Sequence, residues 1–168
     1  MNVTVIAIGD ELLIGQVTDT NSGWISRNLN PYGWNVKSVK VIGDDSTAIY
    51  KAIDEAFAES DIVLTTGGLG PTKDDITKAT LCGYFGGELV LDDATLLNVE
   101  QVLEKRHLSM NELNHSQAMV PTSCRVIQNA VGTAPLMWYE KDGKVLVSMP
   151  GVQIEMETKM KEQVIPQM

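Results

Sequence analysis

Residues 64–77 read Leu64-Thr65-Thr66-Gly67-Gly68-Leu69-Gly70-Pro71-Thr72-Lys73-Asp74-Asp75-Ile76-Thr77, and no other stretch limits the fold as tightly. An apolar, strand-like run ends there in three glycines and a proline, and two carboxylates then open a helix. Such a bend lets backbone amides approach a bound anion closely. The helix start behind it adds unpaired N–H groups and a favourable dipole. The aspartates act against this, because they repel a bare phosphate. A cation shared between carboxylates and phosphate resolves the conflict. The stretch therefore predicts a pocket for a phosphorylated small molecule with a divalent cation. Its bland reading is a tight turn after a strand, followed by an aspartate that merely caps a helix.

Around this stretch, strands alternate with helices. Val3 to Ile8 is a short continuous apolar run, as in a strand covered on both faces. Asp19 or Thr20 caps a helix carrying Trp24, Ile25, Asn28 and Leu29, which ends at Asn30-Pro31-Tyr32-Gly33. Val36 to Ile42 is the next strand, with Val39 and Val41 expected to point inward. Ser46 is the expected cap of an amphipathic helix over 48–58, and 61–66 is the third strand. This rhythm predicts an α/β fold, a three-layer sandwich whose mostly parallel sheet has right-handed crossovers. A helix to Phe85, a longer one from Asp92 or Asp93 to about Leu108, and a third over 111–119 follow. Arg125 to Ile127 reads as a brief strand. Leu136 to Met149 reads as a β-hairpin turning at Lys141-Asp142-Gly143-Lys144. A last helix runs from Gln153 to about Val164, and Ile165-Pro166-Gln167-Met168 is expected to add no structure.

In an open α/β sheet, ligands bind beyond the carboxyl ends of the strands. The loops at Gly9-Asp10-Glu11, Gly43-Asp44-Asp45 and Gly67–Asp75 fall on that edge, and Pro150-Gly151 lies next to it. They bring Asp10, Glu11, Asp44, Asp45, Asp74 and Asp75 towards one site. Mg²⁺ needs only one or two protein carboxylates beside substrate phosphates. The remaining acids read equally well as turn and cap residues. Gly67-Gly68-Leu69-Gly70 is neither a G-x-G-x-x-G fingerprint nor a Walker loop. There is no G-x-S-x-G elbow, and His107 and His115 read as surface or helix-end residues. Metal-assisted attack of water on a phosphate is the chemistry these residues allow, with one carboxylate on the metal and another as general base.

A net charge of −9 argues against a nucleic-acid partner, which needs clustered Lys and Arg. At 168 residues, 43% of them hydrophobic, the chain fits a single globular domain. It has no apolar run long enough to span a bilayer and no signal-peptide pattern, so a cytoplasmic location without membrane contact is expected. Cys82 and Cys124 have no metal-site spacing, and Cys82 reads as core packing.

Gly9-Asp10-Glu11-Leu12-Leu13, with Gly15 and Asp19-Thr20-Asn21, resembles the first signature of the competence/damage-inducible CinA family. Thr66–Thr72 with Asp74-Asp75-Ile76-Thr77 resembles the second. Asn129 with Gly132-Thr133-Ala134-Pro135, and then Met149-Pro150-Gly151-Val152 with Glu155-Met156, resemble the third and fourth. The resemblance implies a molybdopterin-binding-like (MogA/MoeA-type) domain over 1–168, normally followed by a nicotinamide-nucleotide amidase domain that this sequence lacks. It implies divalent-cation-dependent ADP-ribose pyrophosphatase activity with Mg²⁺, Mn²⁺ or Co²⁺, and K⁺ as a further candidate ion. The alternatives are a molybdopterin-binding module of molybdenum-cofactor assembly, or a non-catalytic oligomerisation domain. A homo-oligomer, dimer or trimer, is expected.

Carried onto this sequence, the resemblance matches the family's functional acids to Asp75 and Asp45, and with Asp10 from the strand-edge loops these are the candidate catalytic and metal-binding residues. Thr66, Gly67, Gly68, Gly70, Thr72, Asn21, Gly132, Thr133, Pro150 and Gly151 become the ligand-binding ones. Two positions depart from the family pattern: Leu136 replaces a usual Gly, and Gln153 a usual Pro.

Overall fold

Strand β1 (Asn2–Ile8) is apolar at nearly every position because it runs between two helical layers. The computed structural model describes residues 1–70 and 76–168. Its main sheet has six strands in the order β2-β1-β3-β8-β7-β6. These are β2 (Asn35–Ile42), β3 (Ile62–Thr66), β8 (Lys144–Met149), β7 (Leu136–Lys141) and β6 (Arg125–Ile127) around β1. The first four in that order are mutually parallel, while β7 runs antiparallel to both its neighbours, β8 and β6. The carboxyl ends of β1, β3 and β8 therefore meet at one edge.

Alternate residues of the central strands feed two cores. Val3, Val5, Leu64 and Val147 pack under α2 (Thr20–Leu29) and the C-terminal helical segment, through Ile25, Leu29, Met156, Met160 and Val164. Ile6, Ile8, Val63 and Leu146 face α3 (Ser46–Glu59) and α4 (Thr77–Phe85), meeting Ile49, Ile53 and Leu81. There Phe85 stacks on Tyr139 with ring centroids 4.4 Å apart. The expected three-layer α/β/α sandwich, with its mostly parallel sheet and terminal hairpin, is the observed one.

Several local expectations are corrected. Val39 and Val41 are 47% and 39% exposed rather than inward. β2 is an edge strand and holds an extra residue between the pairs Val3–Val36 and Thr4–Ser38. That shift sets Ile42 beside Ile8 over the second core, and leaves Val39 and Val41 on the uncovered rim. The 111–119 segment is helical only at α6 (Glu112–Ser116). It leaves the helix to form β5 (Met119–Pro121), which pairs antiparallel with β4 (Leu89–Leu91). Helix α5 (Asp93–Lys105), capped by Asp92, stops before Leu108. Helix α7 (Gln153–Lys159) continues through a wide turn at Met160–Val164 into α8 (Ile165–Gln167). Buried Val164 and Ile165 anchor that end in the first core.

A four-residue helix, α1 (Asp10–Leu13), also follows β1 where a plain turn was expected. Leu136, fully buried in β7, has no positive φ, so nothing there requires glycine. Both cysteines are free; Cys82 is buried, and burial pushes the Cys124 thiol up to about 11. Among the described residues no helix is long and apolar enough to cross a membrane.

Candidate functional site

The site is built where β3 stops. Gly67 and Gly68 take left-handed φ values of 98° and 69° in succession, a conformation glycine adopts without the penalty of a Cβ. Space demands glycine as well. A Cβ at Gly67 would lie 2.2 Å from the Ile8 carbonyl oxygen, and one at Gly68 would lie 1.9 Å from Thr77 Oγ1. The Gly67 amide donates to the Met149 carbonyl (3.0 Å), which ties the bend to the end of β8. Thr66 is buried, and Gly70 is exposed at the far side of the bend.

Three cavities adjoin the bend. The first, about 270 Å³, lies between β1, β3 and the start of α2, and is lined by Glu11, Val17, Asp19, Asn21, Thr66, Gly67, Gly151 and Gln153 among others. The second, about 290 Å³, lies across Gly151 and is lined by Gly70, Leu103, Arg106, Gln117, Thr133, Pro150, Val152 and Glu155 among others. The third, about 60 Å³, sits beneath Gly68, Leu69 and Gly70, against Lys78, Ser116, Gln117 and Pro135. Gly151 belongs to both large cavities, and a Cβ there would come within 3.2 Å of Gly67 Cα.

Each large cavity has its own polar support. Asn21 Nδ2 donates to the Gly151 carbonyl (2.8 Å), while its buried Oδ1 has no partner among the described residues. Gln153 accepts from Thr20 Oγ1 (2.8 Å) at the mouth of the first cavity, so the residue standing where a proline is usual bridges α2 and α7. In the second cavity, Asn129 Nδ2 donates to Glu155 Oε1 (2.7 Å) and to the Ala134 carbonyl (3.1 Å). Gly132 is needed for this, since a Cβ there would sit 1.7 Å from Glu155 Oε1. Asn98 Nδ2 holds the Asn129 carbonyl (2.8 Å), and Arg106 holds that of Val131 (2.7 Å). Burial raises the Glu155 carboxyl above its ordinary range, and the Asn129 hydrogen bond and the Arg106 charge oppose the rise.

The predicted acids divide. Asp10 and Asp44 meet at the edge: Asp44 N–H donates to Asp10 Oδ1 (2.9 Å), and Asp10 N–H donates to Asp44 Oδ2 (3.1 Å). Asp45 instead accepts from the Ala48 amide (2.8 Å) and caps α3, the place expected of Ser46. Its partner in this structure is a helix end. Among the described residues no three His, Cys, Asp or Glu side chains are gathered as an ion would need. Thr72, Asp74 and Asp75 lie outside the described residues.

Reasoning from sequence passed over Lys78 and Gln117, and gave no role to Asn98 or Arg106. Lys78 had one visible signal: a lysine in the first turn of a helix stands at the wrong end of the dipole.

The comparisons agree with this architecture. Residues 4–168 match the family model described as "Probable molybdopterin binding domain". A CinA-like protein of Flavobacterium psychrophilum is 43% identical over 171 residues, covering 100% of this chain and 40% of the relative. One from Cytophaga hutchinsonii is 48% identical over 153 residues, covering 91% and 37%. The chain thus spans about two fifths of the length of these relatives. The crystal structure of a CinA protein of unknown function from Thermoplasma acidophilum superposes with TM-score 0.88 at 34% identity, covering 99% of this chain and 98% of that one. A tungsten-cofactor-synthesising MoaB protein from Pyrococcus furiosus shares the fold, with TM-score 0.62 at 19% identity over 99% and 93% of the two chains.

Proposed function

Because this chain belongs to the molybdopterin-binding domain family, in its CinA-like branch, we propose that it binds a phosphorylated pterin of the molybdopterin type. The phosphate lies against the Gly67–Gly70 bend and the ring system lies in a flanking cavity. One observation carries this reading: two consecutive left-handed glycines at the end of a parallel strand, set between cavities of about 270 and 290 Å³. A bend of this kind turns amide hydrogens towards an anion, and cavities of this size accept a bicyclic ring. Purified protein titrated with molybdopterin tests it by thermal shift, because a ligand that binds only the folded state raises stability with its concentration. No shift at saturating ligand, with the fold intact, removes the reading and leaves an oligomerisation domain in its place.

A second reading rests on the Asp10–Asp44 pair, which sets two carboxylates at the same strand edge. Here the ligand is ADP-ribose or a similar nucleotide, and water cleaves its pyrophosphate to AMP and ribose 5-phosphate. Mg²⁺, Mn²⁺ or Co²⁺ would be held by one or two carboxylates and substrate oxygens, and would offset the negative charge on the phosphoryl oxygens so that the phosphorus is more open to attack. Asp10 lies at that edge beside Asp44 and would bind the cation while still accepting the Asp44 amide. Asp45 fits less well, because its carboxylate is committed to α3. AMP released from ADP-ribose on addition of a divalent cation, and abolished by chelation, is the result this reading requires.

A further inference from the structure

The smallest of the three cavities contains a charge that no fold requirement explains. Lys78 is half-buried on its wall, and its Nζ donates to the Ser116 carbonyl (2.6 Å). Among the described residues no carboxylate forms an ion pair with it; the ion pairs there join Lys40 and Lys51 to Glu55, and Lys159 to Glu162. Burial lowers its pKa to about 8, the cost of an ammonium with no counter-charge. Among the described residues the cavity lining contains no other titratable group.

Two further polar atoms at this place lack partners among the described residues. Gln117 is 4% exposed; its Nε2 donates to the Leu69 carbonyl (2.6 Å), and its Oε1 has no partner. Exchanging the amide ends would set two acceptors against each other at Leu69, so the orphan is an acceptor. The Thr77 hydroxyl, fully buried against Gly68, is also unpaired among the described residues. Buried polar groups normally find partners. Here an ammonium and an amide acceptor line about 60 Å³ beside Gly68 and Gly70, with the Thr77 hydroxyl packed behind Gly68.

We propose that Lys78 and Gln117 form an anion subsite beneath the glycine bend, in which Lys78 carries the positive charge for a phosphoryl group. Lys78 donates to a phosphoryl oxygen, and Gln117 Oε1 accepts from a protonated one. This rests on the reading of the bend as an anion cradle and adds the residue that neutralises the anion. It also orients the ligand. Among the described residues lining the three cavities, cations occur only in the small one (Lys78) and the one containing Arg106, whereas the cavity with Glu11 and Asp19 has none. The phosphate end points away from Glu11.

Inorganic pyrophosphate, titrated at pH 8 and constant ionic strength into wild type, Lys78→Gln and Lys78→Arg, tests the proposal. Gln keeps a donor for the Ser116 carbonyl but loses the charge. Wild type should bind saturably, Lys78→Gln about tenfold or more weakly, and Lys78→Arg nearly as well as wild type. An anion raises the ammonium pKa, so wild type should take up about half a proton on binding at pH 8, read from calorimetry in buffers of different ionisation enthalpy. Saturable binding that is unaltered in Lys78→Gln, or accompanied by no proton uptake in wild type, makes Lys78 only a latch on Ser116 and overturns the proposal while sparing the bend. Absence of saturable binding in wild type overturns the cradle and the subsite together. Should Lys78→Gln fail to fold, proton uptake by wild type decides alone.

Discussion

Asp10 and Asp44 each accept a hydrogen bond from the other's backbone amide, at 2.9 and 3.1 Å, and so lace the loop after β1 to the loop after β2. Glycine at 43 makes the closure possible, since a Cβ there would lie 2.5 Å from Asp10 Oδ1. Carboxylate-to-amide bonds of this kind contribute about 1.5–3 kcal/mol each. Asp10→Ala should therefore lose about 1–3 kcal/mol in urea unfolding, while Asp10→Asn, whose amide oxygen still accepts from Asp44, should lose clearly less. Equal losses in the two variants would mean that the lacing is not what Asp10 contributes.

Asp45 caps α3, and Asn serves nearly as well at that position. Asp45→Asn should leave unfolding unchanged, and Asp45→Ala should cost about 0.5–2 kcal/mol. If the nucleotide reading holds and Asp45→Asn also abolishes AMP release without loss of stability, the carboxylate has a role beyond the cap.

Gly67 and Gly143 both have left-handed φ, 98° and 76°, yet their surroundings differ. A Cβ at Gly143 meets nothing within 4 Å, whereas one at Gly67 meets a backbone oxygen at 2.2 Å. Gly143→Ala should cost about 1–2 kcal/mol, the conformational penalty alone. Gly67→Ala adds overpacking of about 1–3 kcal/mol, and should weaken ligand binding by moving the bend. Equal losses in a denaturant series would show that β3 and β1 part easily at their carboxyl ends.

Glu155 should make stability fall as pH rises. Its folded pKa is raised above 4.5, so over the interval from 4.5 up to the folded value the native state holds more protons than the unfolded chain. Stability attributable to this group is therefore greatest below 4.5 and is lost through that interval. Glu155→Gln keeps an acceptor for Asn129 and cannot ionise, so the wild-type-minus-variant difference should become less favourable from pH 4.5 towards neutrality. A difference that stays flat would place the Glu155 carboxylate in better-solvated surroundings than its 7% exposure indicates.

The strand–helix alternation was legible because central strands and their covering helices write burial directly into periodicity. At β2 that rule failed, since an edge strand with an inserted residue has one face without a cover, and Val39 and Val41 look the same on paper either way. The glycine bend could be read from composition, because few residues other than glycine tolerate its φ values. The supports of the site could not. Asn129 and Glu155 are 26 residues apart, Lys78 and Ser116 are 38 apart, and Leu69 and Gln117 are 48 apart. Each pair depends on a fold that must exist before the contact does. The aspartates show the converse. Neighbouring acids look alike in sequence, but Asp44 turns to Asp10 while Asp45 turns to its own helix.

At Gly151 the partition between the two large cavities is main chain alone, backed by Gly67 on one side and pinned by Asn21 through its carbonyl. A side-chain wall can swing aside and let one chamber grow at the other's expense. Peptide planes held from both sides cannot. The partition therefore stays where it is, and a ligand longer than one chamber must bend over the glycines rather than push through.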